Sequence, residues 1–281
     1  MSGPGRAGPP PAPDALPIPV VDNHTHLDMS RDGTDPPDIQ AVIDAATAVG
    51  VPRMVQIGCD LPGARYTVEV IDRYAALLGG VALHPNEAPK LHDRGELDSA
   101  MSEIELLASH PRVRVIGETG LDYFRTGPEG MAAQQDSFRW HIDLAKRTGK
   151  ALQVHDRDAH EDVLRILAEE GAPSHTVLHC FSGNIAMARE CVERGYFLSF
   201  SGTVTFKNAK DLRNALSVTP MDNLLVETDA PFLTPAPHRG ATNAPYLVPL
   251  TVRAMAGVLN VDVPSLCTAM SANSERVYGL W

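Results

Sequence analysis

"IPVVDNHTHLD", residues 18–28, opens as an apolar run and closes on two histidines, His24 and His26. The run is too short for a stable core helix and reads as a buried strand. Residues i and i+2 of a strand point to the same face, so His24 and His26 have one target in common. The question it poses is what a strand end would do with two imidazoles. They are metal ligands, a catalytic base with a bystander, or surface residues past the strand.

Seven more runs of this kind follow, at 52–58, 79–84, 113–118, 151–155, 176–181, 196–202 and 224–229. Helical patterns separate most of them, most clearly at Gln134–Arg147, Ala159–Glu169 and Ile185–Arg194. Near-continuous apolar strands alternating with helices imply a parallel sheet covered on both faces. Eight such units predict an α/β fold of the (β/α)8 TIM-barrel type, spanning residues 18–281 as one domain. An open, doubly wound sheet is the alternative. Its dinucleotide-binding form loses support because no Gly-x-Gly-x-x-Gly follows the first run.

Polar residues close run after run. His24 and His26 end the first, His84 the third, Glu118 the fourth, His155 the fifth, His179 the sixth and Asp229 the eighth. In a barrel these ends surround one mouth. A bare cluster of this kind would leave carboxylates repelling and imidazoles poorly satisfied, and divalent metal resolves both problems. Ligand counting suggests two ions. One takes His24, His26 and Asp229, the other His155 and His179, with Glu118 bridging. Two ions about 3.5–4 Å apart can activate a shared water for hydrolysis. Glu118 and Asp229 thereby become the candidate catalytic carboxylates. The cysteines offer no nucleophile, since Cys180 falls within an expected strand, and no Gly-x-Ser-x-Gly is present.

Composition bounds the partners. The 281-residue chain is 43% apolar and carries a formal charge of −11. That argues against coating nucleic acid by charge, but not against an enzyme acting on its ends. Residues 1–17, "MSGPGRAGPPPAPDALP", are rich in Pro and Gly and predict a disordered tail. The start lacks the apolar segment of a secretory signal, and no stretch approaches a membrane span. The four cysteines show no close pairing, so a reducing, cytoplasmic setting is expected.

The motifs "DNHTHLD", "ALHP", "IGETGLDY", "VHDRDA", "HCFSGN" and "LLVETDAPFLTP", followed by "HRGATNAPYLV", occur in this order from Asp22 to Val248. Together they resemble the TatD family of metal-dependent deoxyribonucleases, within the amidohydrolase-like barrel superfamily. The resemblance implies divalent-metal-dependent hydrolysis of DNA, commonly as a 3′-to-5′ exonuclease. It gives the ligand roles to His24, His26, Glu118, His155, His179 and Asp229. It also adds Mg or Mn to the Zn, Mn, Fe or Ni that suit histidine ligation. One departure stands out. Many members resemble Gly-Lys-Arg-Asn-Glu-Pro where this chain reads "GATNAP" after Arg239, so the family's substrate contacts in that loop do not carry over, whereas the metal site is untouched.

His84 is a candidate donor to a phosphate oxygen or leaving group, and Arg157 and Arg239 are candidate phosphate clamps. Asp122 orients a ligand or closes a loop. Glu227 is expected in the lumen beneath Asp229, where support of a ligand histidine and a purely structural bond are both open. Tyr123 and Phe124 are candidates to stack on a base. Residues 182–184 read as a helix cap or a phosphate-binding turn. DNA ends or short single strands are the expected substrate. An amidohydrolase or esterase using the same activated water is the competing enzyme reading. A non-catalytic binding protein on the same barrel is the third.

Overall fold

The apolar runs become eight strands because each is buried on two faces: outward against helices and inward into a lumen. The computed structural model describes residues 9–31 and 37–281. Its strands are β1 (Val21–Thr25), β2 (Arg53–Gly58), β3 (Leu77–Val81), β4 (Val113–Asp122), β5 (Ala151–Arg157), β6 (Thr176–Leu178), β7 (Phe197–Phe200) and β8 (Leu224–Val226). They pair in chain order, every neighbouring pair parallel. A parallel bridge between Thr25 and Ala230 joins the last strand's exit to the first. Asp229 N donates to His24 O at 3.0 Å and His26 N to Ala230 O at 2.8 Å, completing the ring. The expected TIM barrel is the observed fold.

The helices are α1 (Ile39–Ala48), α2 (Leu61–Arg73), α3 (Ala88–Asp93), α4 (Leu97–Ala108), α5 (Pro128–Thr148), α6 (His160–Glu170), α7 (Ile185–Glu193), α8 (Lys210–Val218), α9 (Val248–Leu259) and α10 (Val263–Tyr278). Asp38, Asp60, Asn184 and Asp262 cap α1, α2, α7 and α10 through their side-chain oxygens. Alternation along the strands builds two cores. Met54, Leu77 and Leu152 face the helices. Val55, Leu78, Val115 and Ala151 fill the lumen, which Val277 and Tyr278 of α10 help close. Among the described residues no single helix is long and apolar enough to cross a membrane.

Several boundaries differ from the sequence expectation. β6 and β8 stop before His179 and Asp229. The chain there enters left-handed backbone at Cys180 (φ 42) and Asp229 (φ 55), so it turns off the sheet toward the mouth. Cys180 is therefore beyond the strand, not inside it. β4 runs on to Asp122. Gly120 makes that extension possible: its φ is +141, and a Cβ there would lie 2.1 Å from His155 O on β5.

The expected tail of residues 1–17 is corrected in part. Residues 1–8 lie outside the described residues, whereas 9–17 lie against the barrel. Tyr246 Oη donates to Pro10 O at 2.6 Å, and Arg253 donates to Asp14 O and Ala15 O at 2.8 and 3.1 Å. Leu16 is buried and its N–H bonds Val49 O at 3.0 Å. Proline-rich chain has little freedom to lose on docking, and its carbonyls meet donors from distant sequence that composition alone does not reveal.

His141 shows how α5 fixes the rim. Fully buried, it donates from Nδ1 to Ser137 O at 2.7 Å and accepts from Leu83 N at 3.2 Å through Nε2. Burial pushes its pKa down to about 4. The unfolded imidazole, near 6.5, takes up a proton first, so this contribution is intact above about pH 6.5 and lost as pH falls toward 4. At about 1.4 kcal/mol per unit the loss reaches about 3 kcal/mol. Urea unfolding of metal-free protein at neutral pH and near pH 4 measures it. His141→Gln keeps a donor and an acceptor but cannot charge, and should be less acid-sensitive by about that amount. Equal sensitivity would assign the loss elsewhere.

Candidate metal centre

The side chains at the mouth meet around one carboxylate. Glu118, on β4, is 4% exposed, and its two oxygens face different partners. Oε2 lies 3.5 Å from His24 Nε2 and 3.8 Å from His26 Nε2. Oε1 lies 2.8 Å from His179 Nε2 and 3.4 Å from His84 Nε2, and also bonds His155 Nδ1. Asp229 Oδ1 completes the first group, 3.3 Å from His26 Nε2 and 3.9 Å from His24 Nε2. All six predicted ligands thus converge, with His84 beside them.

Three of these imidazoles, His24, His26 and His179, turn Nε2 to this centre and hold Nδ1 against an acceptor behind them. His24 Nδ1 faces Gln153 Oε1 at 2.7 Å, His26 Nδ1 faces Ile57 O at 3.0 Å, and His179 Nδ1 faces Glu227 Oε1 at 3.2 Å. Each of these acceptors calls for a proton on Nδ1, which leaves Nε2 bare in the neutral ring. His24 Nε2 and His26 Nε2 consequently face each other at 3.2 Å as two acceptors. A cation relieves such a pair, either an ion between the rings or a proton on His26, whose charge burial opposes but Asp229 favours. The edges of a tetrahedron with ligand distances of about 2.0–2.2 Å are about 3.3–3.6 Å, close to the separations around His24, His26, Asp229 and Glu118 Oε2. The donor set fits a divalent ion there, and on the other side of the carboxylate His84, Glu118 and His155 form a second group whose ligand atoms lie within 4.8 Å of one another.

His84 behaves differently. Its Nδ1 accepts from Asn86 N at 3.0 Å, so Nε2 carries the hydrogen. Burial holds its pKa below the ordinary imidazole value despite Glu118 nearby. Although it stands within ligand distance of Glu118 and His155, it is placed as a donor. Asn86 Nδ2 also bonds Asp122 Oδ2 at 3.0 Å, and Asp122 Oδ1 accepts from Arg125 N at 2.9 Å. Asp122 Oδ2 lies 3.4 Å from His155 Nε2 as well. It therefore both closes its loop and approaches a predicted ligand.

Burial works to raise the pKa of Glu118, but His179, His84 and His155 together hold it well below the usual carboxylate range. Burial likewise opposes a charge on His179, yet Glu118 and Glu227 raise it well above an ordinary imidazole. Below these residues burial pushes Asp22 up to about 7, although Thr228 donates to it twice.

Arg157 and Arg239 stand apart from the cluster. Each guanidinium stacks on an aromatic ring, Arg157 over Phe124 and Arg239 over Phe206, both 3.9 Å from the ring centre. Among the described residues neither forms an ion pair, so their donors are open to a ligand. Phe124 is 62% exposed, whereas Tyr123 Oη is engaged with Asp162 at 2.7 Å. Asn184 caps α7 through Met187 N at 3.1 Å, which satisfies the capping reading of residues 182–184.

Sequence reasoning missed Cys59 and Gln153. Cys59 Sγ donates to Glu118 Oε2 at 3.4 Å, and burial pushes its thiol up to about 12, so it stays protonated. Reading the cysteines only for close pairs hid it. Gln153 had a visible signal: it precedes His155 by two on a strand, the relation that placed Glu227 beneath Asp229.

A family model described as TatD related DNase matches residues 21–279. A Mycobacterium tuberculosis protein named as an uncharacterized metal-dependent hydrolase, TatD, is 45% identical over 93% of this chain and 98% of its own length. The Bacillus subtilis hydrolase YabD, also uncharacterized, is 38% identical over 92% of this chain and 98% of its own. Among solved structures, the TatD homologue YjjV of Escherichia coli superposes with a TM-score of 0.85 at 23% identity, covering 93% of this chain and 98% of that one. That likeness speaks to the fold.

Proposed function

Because the chain belongs to the TatD family of metal-dependent hydrolases, we propose that it hydrolyses DNA phosphodiester bonds at a two-ion centre, working from 3′ ends as an exonuclease. The observation that carries the two-ion reading is the division of Glu118 between two groups of imidazoles. His24, His26 and Asp229 would hold one ion and His155 and His179 the other, with Glu118 placed between the two groups. When bound, the pair supplies a water of lowered pKa and positive charge for the phosphoryl oxygens.

The remaining work falls to side chains. Asp229 accepts the proton of the attacking water. His84 Nε2–H donates to a phosphate oxygen or to the departing oxygen. Arg157 and Arg239 hold phosphates through donors kept in plane by the rings beneath them. Phe124 offers a face for a terminal base. The DNA specificity and the 3′ polarity rest on the family's character. The acidic charge of −11 favours frayed ends or short single strands over duplex.

Metal analysis of the purified chain, then hydrolysis of end-labelled single-stranded DNA and of carboxylic ester and amide substrates, tests this reading. Mg, Mn and Zn should each be tried on the stripped protein. Nucleotides should be released from the 3′ end in a chelator-sensitive way. Turnover of esters or amides alone would overturn the DNA assignment. His84 gives a sharper check. His84→Phe should keep both ions and lower kcat about tenfold to a hundredfold, the value of a hydrogen bond to a charged group of about 1.5–3 kcal/mol. Loss of an ion in that variant would make His84 a ligand instead.

A further inference from the structure

Gln153 is wholly buried in the middle of β5. Its Oε1 lies 2.7 Å from His24 Nδ1, and its Nε2 lies 2.8 Å from Asn23 O and 2.8 Å from Tyr278 Oη. The amide has a direction, and the Asn23 carbonyl fixes it. A main-chain oxygen can only accept, so the NH2 must face it. Turned end for end, the amide would set two oxygens together and aim an N–H at His24 Nδ1. Asn23 is itself pinned: its Nδ2 donates to Val226 O at 2.7 Å, and its Oδ1 accepts from Ser274 Oγ of α10 at 3.0 Å.

With Oε1 turned to His24, Nδ1 carries the hydrogen and Nε2 is bare. Nε2 is the atom that faces His26, Glu118 and Asp229. We propose that Gln153 is a positioning residue that sets the tautomer of His24, so that its inward nitrogen is a lone pair before any ion arrives. The consequence for metal binding rests on the proposed role of His24 as a ligand. The two neighbouring histidines have acceptors that cannot be reversed, the Ile57 carbonyl and the Glu227 carboxylate. His24 alone among these three depends on a group that has two orientations. An amide also supplies the acceptor without adding charge to a lumen that already buries Asp22 and Glu227.

The test reads the tautomer without metal. Full-length, metal-free protein labelled with 15N-histidine is examined by long-range 1H–15N correlation near pH 8, above the ordinary imidazole pKa of about 6.5. His24 is assigned by its loss in His24→Gln. The wild type should show His24 protonated at Nδ1 only. Gln153→Met, similar in length but without the amide, should show a mixture of tautomers. Its affinity for Zn²⁺, by competition with a chromophoric chelator, should fall about 10–100-fold. A wild-type His24 protonated at Nε2 overturns the proposal, and so does Gln153→Met with unchanged tautomer and Zn²⁺ affinity. A chain with the expected tautomers that binds no ion would overturn the two-ion reading and leave the tautomer assignment standing.

Discussion

Asp229→Asn should lower kcat for DNA hydrolysis by about two to four orders of magnitude at saturating metal, the usual range for removing a general base. The substitution keeps the side chain's size and one oxygen. Asp229 Oδ1 faces the two imidazoles of His24 and His26, which leaves its other oxygen for a proton. Its side chain is 15% exposed, against 0% for His24 and 5% for Glu118, so among these three it has the readiest access to water. Burial disfavours its charge, but His26, His24 and His179 hold its pKa below the ordinary value, keeping it an acceptor at neutral pH. The rate constant is measured with occupancy checked separately. If excess metal restores near-normal turnover, Asp229 is a ligand and nothing more.

Glu118→Gln is expected to act earlier, on the assembly of the centre itself. One of the two oxygens becomes an NH2, so one group of imidazoles loses its anionic partner. Breaking a buried charged contact costs about 3–5 kcal/mol, which is about two to more than three orders of magnitude in affinity for at least one ion. Stoichiometry after dialysis should fall below two, and hydrolysis should fall with it. His155→Ala should weaken mainly the ion shared with His179 and leave the His24–His26 side filled. Two tightly held ions and normal turnover in Glu118→Gln would remove the bridging role.

Much of this centre was legible because a barrel brings strand ends together whatever their distance in sequence. His155 needed only the recognition that its run was a strand. His179 and Asp229 were found by the same rule, although the strands end before them. The rule survives because the chain turns at the mouth within a residue or two of the sheet. The i, i+2 argument for His24 and His26 was right in outcome and incomplete in cause. The β1–β2 register shifts between Asp22 and Thr25, and His26 lies outside β1. Their convergence therefore depends on the irregular exit and on bonds to Asp229 and Ala230, which no local pattern encodes. Cys59 and the direction of the Gln153 amide were not legible for a similar reason. Each is fixed by a partner far along the chain, Glu118 for one and Asn23 for the other.

The closure between the first and last strands also orders events in time. Asp22 receives its bonds from Thr228, 206 residues later. At about 5–20 residues per second of synthesis, the chain spends about 10–40 s on the ribosome with β1 made and its last neighbour not yet translated. Throughout that interval His24 and His26 lack Asp229, and the edge of β1 lacks the contacts that close the ring. Hydrolytic competence is in this way silent in the nascent chain until Thr228 and Asp229 have been made and can reach β1.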